Sequence, residues 1–289
     1  MTWQFVLAGL AVGGLVGMTG MGGGSLMTPL LILAFNFDPR VAVGTDILHS
    51  AVFKSFGAVQ HRRLGHVHAR LVAWMLVGSV PLSLLGVQVA SGFGSSAQAT
   101  MSRLVGLALF AGALGSALKT VLRRTPAPDA PLLLATRQRA IAVALGAAGG
   151  FVVGLTSVGS GIFFGLTILL VYPLTAQKIV GTDVAHAAVL LWAAGLSHLL
   201  HGNVDLHAMA WLLVGSVPGV IAGSRLSIRV PERGLRLGFS VVLFLTGIKL
   251  VGVPHANEID IAGLAAGAAA LLVWGIRRRS RPAPAFGRD

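Results

Sequence analysis

The chain has no cysteine, and only 11% of its 289 residues are charged. Without cysteine there is no disulfide, no thiolate metal site and no cysteine nucleophile. A soluble globular protein carries about 25% charged residues, so a soluble fold of this length would lack the charge to cover its surface. Acidic residues are the scarcest charged type, nine against 22 Lys and Arg, for a formal net charge of +13. In a soluble protein that excess would suggest nucleic acid. Here the basic residues sit in short segments between apolar runs, with no aromatic-studded basic face, so no nucleic-acid partner is expected. H-E-x-x-H, P-loop and nucleophile-elbow motifs are absent too, and no enzyme, cofactor or resident metal is expected. Met1-Thr2-Trp3-Gln4 lacks the basic start of a signal peptide, so the first apolar run is expected to stay in the membrane.

What the chain does have is hydrophobicity: 55% of residues are hydrophobic, and the mean hydropathy is +0.82. The apolar residues come in runs of about 15–20, the length scale of a bilayer core of about 30 Å. The chain is also duplicated. A shift of 137 positions aligns residues 13–86 with 150–223 without a gap, with 26 identities in 74 pairs. Val43-Gly44-Thr45-Asp46 matches Val180-Gly181-Thr182-Asp183, His49 matches His186, and Trp74 matches Trp211. Val77-Gly78-Ser79-Val80-Pro81 matches Val214-Gly215-Ser216-Val217-Pro218, and Gly9, Gly13 and Gly17 fall on Gly146, Gly150 and Gly154.

Each copy reads as five apolar segments: about 3–19, 24–36, 42–60, 70–91 and 101–121, then about 138–156, 161–175, 179–200, 206–226 and 236–253. The expected organisation is a first repeat over 1–121, a basic cytoplasmic linker over 122–137 and a second repeat over 138–253. An extra transmembrane helix over 254–276 and a basic cytoplasmic tail over 277–289 complete it. Placing 61–70, 119–139, 176–178, 225–236 and 277–289 in the cytoplasm puts 18 of the 22 Lys and Arg there, as the positive-inside rule requires. The N-terminus then lies outside and the C-terminus in the cytoplasm. The start of the second copy lies inside, so the copies are inverted, the architecture of many secondary transporters. The fold expected is an all-α, polytopic integral membrane protein of two inverted-topology repeats plus a C-terminal transmembrane helix.

The strongest local signal is Gly17-Met18-Thr19-Gly20-Met21-Gly22-Gly23-Gly24-Ser25, followed by Pro29. Each glycine costs a helix about 1 kcal/mol relative to Ala, and segment 24–36 is too short to span comfortably. Segments 1 and 2 therefore read as a broken-helix hairpin, whose apex presents free amides to an anion. The second copy, Thr156-Ser157-Val158-Gly159-Ser160-Gly161, adds hydroxyls suited to an oxyanion. Gly9, Gly13 and Gly17 read as a packing face. Asp46 and Asp183 are acidic groups at membrane depth, each followed one helical turn later by a histidine, His49 or His186. Such pairs are candidate proton carriers. The competing reading is that Gly-Thr-Asp caps segment 3 in each copy and that the histidines make structural hydrogen bonds. Lys54 has Leu191 as its counterpart in the second copy and so breaks the symmetry; its ammonium is expected to snorkel or to contact an anion. His61, His66, His68, His198, His201 and His207 read as interface residues at segment ends, and the two Trp and Gly-Ser-Val-Pro repeats as anchors and kinks.

The stretch Gly17-x-x-Gly20-x-Gly22-Gly23-Gly24-Ser25-Leu26-x-x-Pro29-Leu30, the Val43-Gly44-Thr45 opening of segment 3 and their degenerate second copy resemble the sulfite exporter TauE/SafE family. The resemblance covers about 5–253. It implies an integral inner-membrane transporter of small sulfur-containing anions such as sulfite or organosulfonates. On that reading Thr19, Gly22, Gly23, Gly24, Ser25 and Thr45, with Thr156, Ser157, Gly159, Ser160, Gly161 and Thr182, line the anion path. Asp46 and Asp183 depart from the family pattern, which has a small polar residue after Gly-Thr. The leading function is therefore a proton-coupled carrier of a small oxyanion, using Asp46, His49, Asp183 and His186 for coupling. The alternative is a divalent-metal or proton-coupled cation carrier ligated by the same four residues. The bilayer and a small anion are the partners expected; association into a homo-oligomer is left open.

Overall fold

A computed structural model of the chain describes residues 2–19, 24–93, 97–121, 134–227 and 232–253. The glycine apex 20–23, most of the linker, and the C-terminal helix and tail expected after 253 lie outside them. The described residues form ten helices and no strand: α1 Thr2–Thr19, α2 Gly24–Phe35, α3 Pro39–Arg63, α4 Ala69–Gly92, α5 Gln98–Val121, α6 Thr136–Thr156, α7 Phe163–Val171, α8 Ala176–Leu200, α9 Leu206–Ser227 and α10 Glu232–Val251. Helices α4, α5, α6, α8 and α9 are each long and apolar enough to cross a bilayer. Exposed Leu, Val and Phe side chains cover the outer faces, as at Leu114, Leu200 and Phe244. Such a surface belongs against lipid.

Two segments start earlier than their hydrophobicity suggests. Helix α3 opens at Pro39, which needs no amide partner in the first turn, and Asp38 caps it by accepting from Arg40 N. Helix α8 opens at Ala176 behind the cap Thr175. Asp46 and Asp183 thus lie about two turns inside their helices, and the capping reading of Gly-Thr-Asp is wrong. The Asp38 carboxylate also accepts from Arg40 Nε at 3.1 Å and Gln98 Nε2 at 2.8 Å, and Arg40 Nη1 donates to Phe93 O at 2.7 Å. Burial pulls the Asp38 carboxyl upward, but the bonds from Arg40 and Gln98 outweigh it and hold it below the ordinary carboxylate value.

Helix pairs cross between the halves: α1 packs on α9, α4 on α6, α3 on α8, and α5 on α10. A Cβ at Gly9, Gly13 or Gly17 would collide with the backbone of Leu212, Ser216 or Val220 in turn, so α1 and α9 run parallel. Gly78 and Gly86 meet Val143 and Phe151 in the same ascending order, so α4 and α6 are parallel too. By contrast Gly44 meets Asn203, Leu48 meets Gly195, and Gly57 meets Val184; α3 and α8 are antiparallel. So are α5 and α10, where Gly106 meets Gly247 and Val251 while Phe110 stacks edge-on with Phe244. Gly9, Gly13 and Gly17 form the packing face expected of them. Pro81 and Pro218 sit inside the continuous helices α4 and α9.

Loop anchors are shared across the halves in matched pairs. Thr182 Oγ1 accepts from His68 N at 3.0 Å, and Thr45 Oγ1 accepts from Asp205 N at 2.9 Å. His68 Nδ1 then caps α4 by accepting from Leu71 N, and Asp205 Oδ1 accepts from Ala208 N at the start of α9. All four positions pair under the 137-residue shift.

Packing and capping together make three predictions. Gly215→Val drives a side chain into Val6 O and destabilises the detergent-solubilised protein by about 3 kcal/mol or more. Gly238→Ala, on an open face of α10, raises the melting temperature slightly, since Ala favours the helix by up to about 1 kcal/mol. Asp38→Ala removes a cap worth about 1 kcal/mol at neutral pH. Because the folded carboxyl lies below 3.8, that contribution is complete above 3.8 and fades as pH falls through the folded value. Wild-type and variant melting curves therefore converge in strong acid.

Candidate functional site

Asp46 is completely buried on α3. Its Oδ2 accepts from Thr28 Oγ1 on α2 at 2.6 Å and from Ser157 Oγ at 2.8 Å, and its Oδ1 accepts from Ser50 Oγ, one turn on, at 3.2 Å. Three hydroxyl donors suit an ionised carboxylate, which can only accept. Ser157 ends α6 in the left-handed conformation, φ 63°. A non-glycine residue held there is strained unless its surroundings hold it; here the Asp46 bond does so. Beyond it the chain turns through Val158–Ile162 before α7 begins, so the second copy is an interrupted helix. Gly159, at φ 112°, makes the turn that Ser or Ala could not. One carboxylate therefore ties the second arm of the first hairpin to the break in the second.

Lys54, two turns after Asp46 on the same helix, is 5% exposed. Its ammonium donates to the Ser160 carbonyl and to Ser160 Oγ, the latter at 2.9 Å. It lies within electrostatic reach of Asp183, Asp46 and His186. The snorkelling expectation fails: Nζ turns inward onto the break. α3 thus fixes the break twice, by a carboxylate at Ser157 and by an ammonium at Ser160. Ser157, Val158 and Ser160 are all buried at the break.

The histidines form a matched pair of cross-half bonds. His49 Nε2 meets Ser216 Oγ at 2.9 Å, and His186 Nε2 meets Ser79 Oγ at 2.9 Å. The two serines belong to the repeated Gly-Ser-Val-Pro, so that motif does more than kink a helix. The register of α3 on α8 puts Asp46 and Asp183 roughly 20 Å apart along the helix axis, at about 1.5 Å per residue, with Lys54 near the middle level. Among the described residues no three of His, Asp or Glu come together as a metal cluster. The four-ligand set of the cation reading is not assembled.

The remaining expected residues are distributed as follows. Thr19 ends α1, Gly24 opens α2, and Ser25 is buried; Gly22 and Gly23 lie outside the described residues. Thr45 and Thr182 spend their hydroxyls on the loop anchors. Thr156 Oγ1 donates to Val152 O at 2.7 Å, and Gly161 N donates to Gly159 O within the turn. His198 is not at an interface: it is buried, with Nε2 on Gly154 O at 2.9 Å. Thr28 and Ser50 were missed. Ser50 was detectable from its place one turn after Asp46, on the same face; Thr28 had no sequence signal.

Comparison with known proteins agrees with this architecture. The model of the sulfite exporter TauE/SafE family matches residues 5–250. The probable membrane transporter protein YjnA of Bacillus subtilis is 36% identical over 255 residues, covering 87% of this chain and 100% of that protein. A second probable membrane transporter protein of the same organism, YdhB, is 24% identical over 248 residues, covering 85% of this chain and 98% of that protein. No solved structure matches. The chain is a multi-pass membrane transporter and belongs to the sulfite exporter TauE/SafE family.

Proposed function

We propose that the protein exports a small sulfur-containing oxyanion, such as sulfite or an organosulfonate, by proton-coupled alternating access across a bacterial inner membrane. The observation that carries this reading is the centre built on Asp46, where α2 and the break after α6 meet beside the buried Lys54. A cation held in a low-dielectric core attracts an anion far more strongly than water would allow. The break beside it offers the hydroxyl of Ser160, which accepts from Lys54 and can still donate. Helix α7 begins at Phe163 with no side-chain cap on its first turn, leaving amide dipole directed at the same region. A cation substrate would meet Lys54 first, and its four candidate ligands are split between two levels.

The halves 1–121 and 138–253 read as inverted repeats, since the equivalent helices α3 and α8 run antiparallel, as do α5 and α10. Lys and Arg are concentrated in the loops assigned to the cytoplasm, which supports an outside N-terminus and an inside C-terminus. Because α1 is locked to α9 and α4 to α6, the bodies that move combine helices from both halves. Opening the centre means releasing the break from α3 at Ser157, at Ser160, or at both. Protonation within the Asp and His set supplies the trigger: it removes fixed negative charge that would otherwise repel the substrate.

Proteoliposomes containing the purified protein are expected to move sulfite or a short sulfonate, faster with an imposed pH gradient. Ser157→Ala, which strips one donor from buried Asp46, is expected to lower the rate about tenfold. Folded protein that moves neither anion, with or without the gradient, overturns the proposal.

A further inference from the structure

We infer that the paired starts of α4 and α6 hold the headgroup phosphate of an anionic phospholipid, between Arg70 and Arg139 on either side of Trp74, with its acyl chains laid along α4. The inference goes beyond the transport reading and does not depend on which substrate is carried.

The first ground is the geometry of the two arginines. Gly78 lies against Val143 and Gly146 against Met75. Trp74, one turn before Gly78, therefore comes level with Arg139, one turn before Val143. The Arg139 guanidinium sits over the Trp74 ring, 5.7 Å from its centroid, and its Nε donates to Leu134 O at 2.9 Å. Arg139 is thus held at the helix start instead of trailing into solvent. Arg70 precedes Trp74 by four residues and shares its face of α4. Both arginines are exposed. Among the described residues the one salt bridge joins Arg40 to Asp38, so no carboxylate among them neutralises either cation. A guanidinium fits phosphate oxygens with two parallel hydrogen bonds, and basic pockets between membrane helices take anionic headgroups.

The second ground is what lies beneath them. Trp74, Val77, Pro81 and Leu85 are all exposed, at spacings of three or four residues, and make one apolar stripe down α4. From Trp74 to Leu85 the helix rises about 17 Å at about 1.5 Å per residue, close to half of a bilayer core of about 30 Å. Cations at one end and an apolar track as long as one leaflet match a phospholipid rather than a free phosphate.

The duplication supplies a comparison within the chain. Helices α1 and α9 are the equivalent parallel pair, and Trp211 stands where Trp74 does, with the same 37% exposure. There His207 replaces Arg70 and Thr2 replaces Arg139. The His207 ring meets Trp211 edge-on at 6.3 Å. Packing of such a pair therefore requires neither arginine, and the two cations on α4 and α6 answer to something outside the chain.

The test uses the full chain in detergent, mixed with dioleoylphosphatidylglycerol, dioleoylphosphatidylcholine or inorganic phosphate. Bound lipid is counted by native mass spectrometry, and stability is read from melting curves. The phosphatidylglycerol is expected to stay bound and raise Tm, and the other two are expected to do neither. Arg70→Gln combined with Arg139→Gln is expected to weaken its retention about tenfold or more. Arg62→Gln combined with Arg63→Gln, which removes the same charge from the neighbouring loop, is expected to leave retention nearly unchanged. Equal retention of the two lipids overturns the inference, as does inorganic phosphate reproducing the rise in Tm. Equal losses in the two double variants mean diffuse attraction to basic loops and overturn it as well. Should the Arg70 and Arg139 double variant fail to fold, Arg70→Gln alone, at an exposed first turn, decides by the same criteria. None of these readouts requires transport, so they stand or fall apart from the anion-carrier reading.

Discussion

Backbone pressed against backbone between α1 and α9, and between α4 and α6, is the constraint on which everything else depends. Apolar side chains gain little by leaving lipid, so membrane helices are held by close van der Waals contact, and glycine allows the closest approach. Gly9, Gly13 and Gly17 on one side and Gly215, Gly219 and Gly223 on the other leave no room for a Cβ. The same pattern joins α4 to α6. Each contact crosses from one half of the chain to the other, so neither half forms a self-contained body. The four outer helices frame α3 and α8, which can then carry polar groups without facing lipid.

Those polar groups are stable only collectively. A single ionised residue in this setting costs several kcal/mol, and burying a pair helps only when the remaining donors and acceptors are also met. Asp46 meets that condition through three hydroxyls. Lys54 meets it in part, through the carbonyl and hydroxyl oxygens of Ser160. The interruption of α6 at Ser157 supplies the hydroxyl and carbonyl oxygens needed, so the broken helix and the buried charges require each other. Irregular backbone at this depth is tolerated where protein polar groups surround it, and here they do.

Duplication supplies a symmetric frame, and the frame is used asymmetrically. His49–Ser216 and His186–Ser79 are equivalent bonds, as are the anchors of Thr45 and Thr182. Away from these, the copies diverge. Lys54 corresponds to Leu191 under the 137-residue shift, and Ser160 to Gly23. The sequence of the second copy is rich in hydroxyls at the positions where the first keeps its glycines.

The membrane class, the duplication, the interrupted second helix and the glycine packing face were all legible in the chain, because each depends on local composition or on a fixed spacing. Apolar length, a 137-residue period and glycines four apart survive without knowledge of the fold. Helix starts were less legible: Pro39 and Asp38 placed Asp46 well inside α3, where hydropathy alone suggested a cap. Partners distant in sequence were not legible at all. Thr28 and Ser157 reach Asp46 across 18 and 111 positions, and Lys54 reaches Ser160 across 106. Hydrogen bonds of that kind depend on where two helices cross, and crossing is settled by packing many side chains at once rather than by any short run of residues.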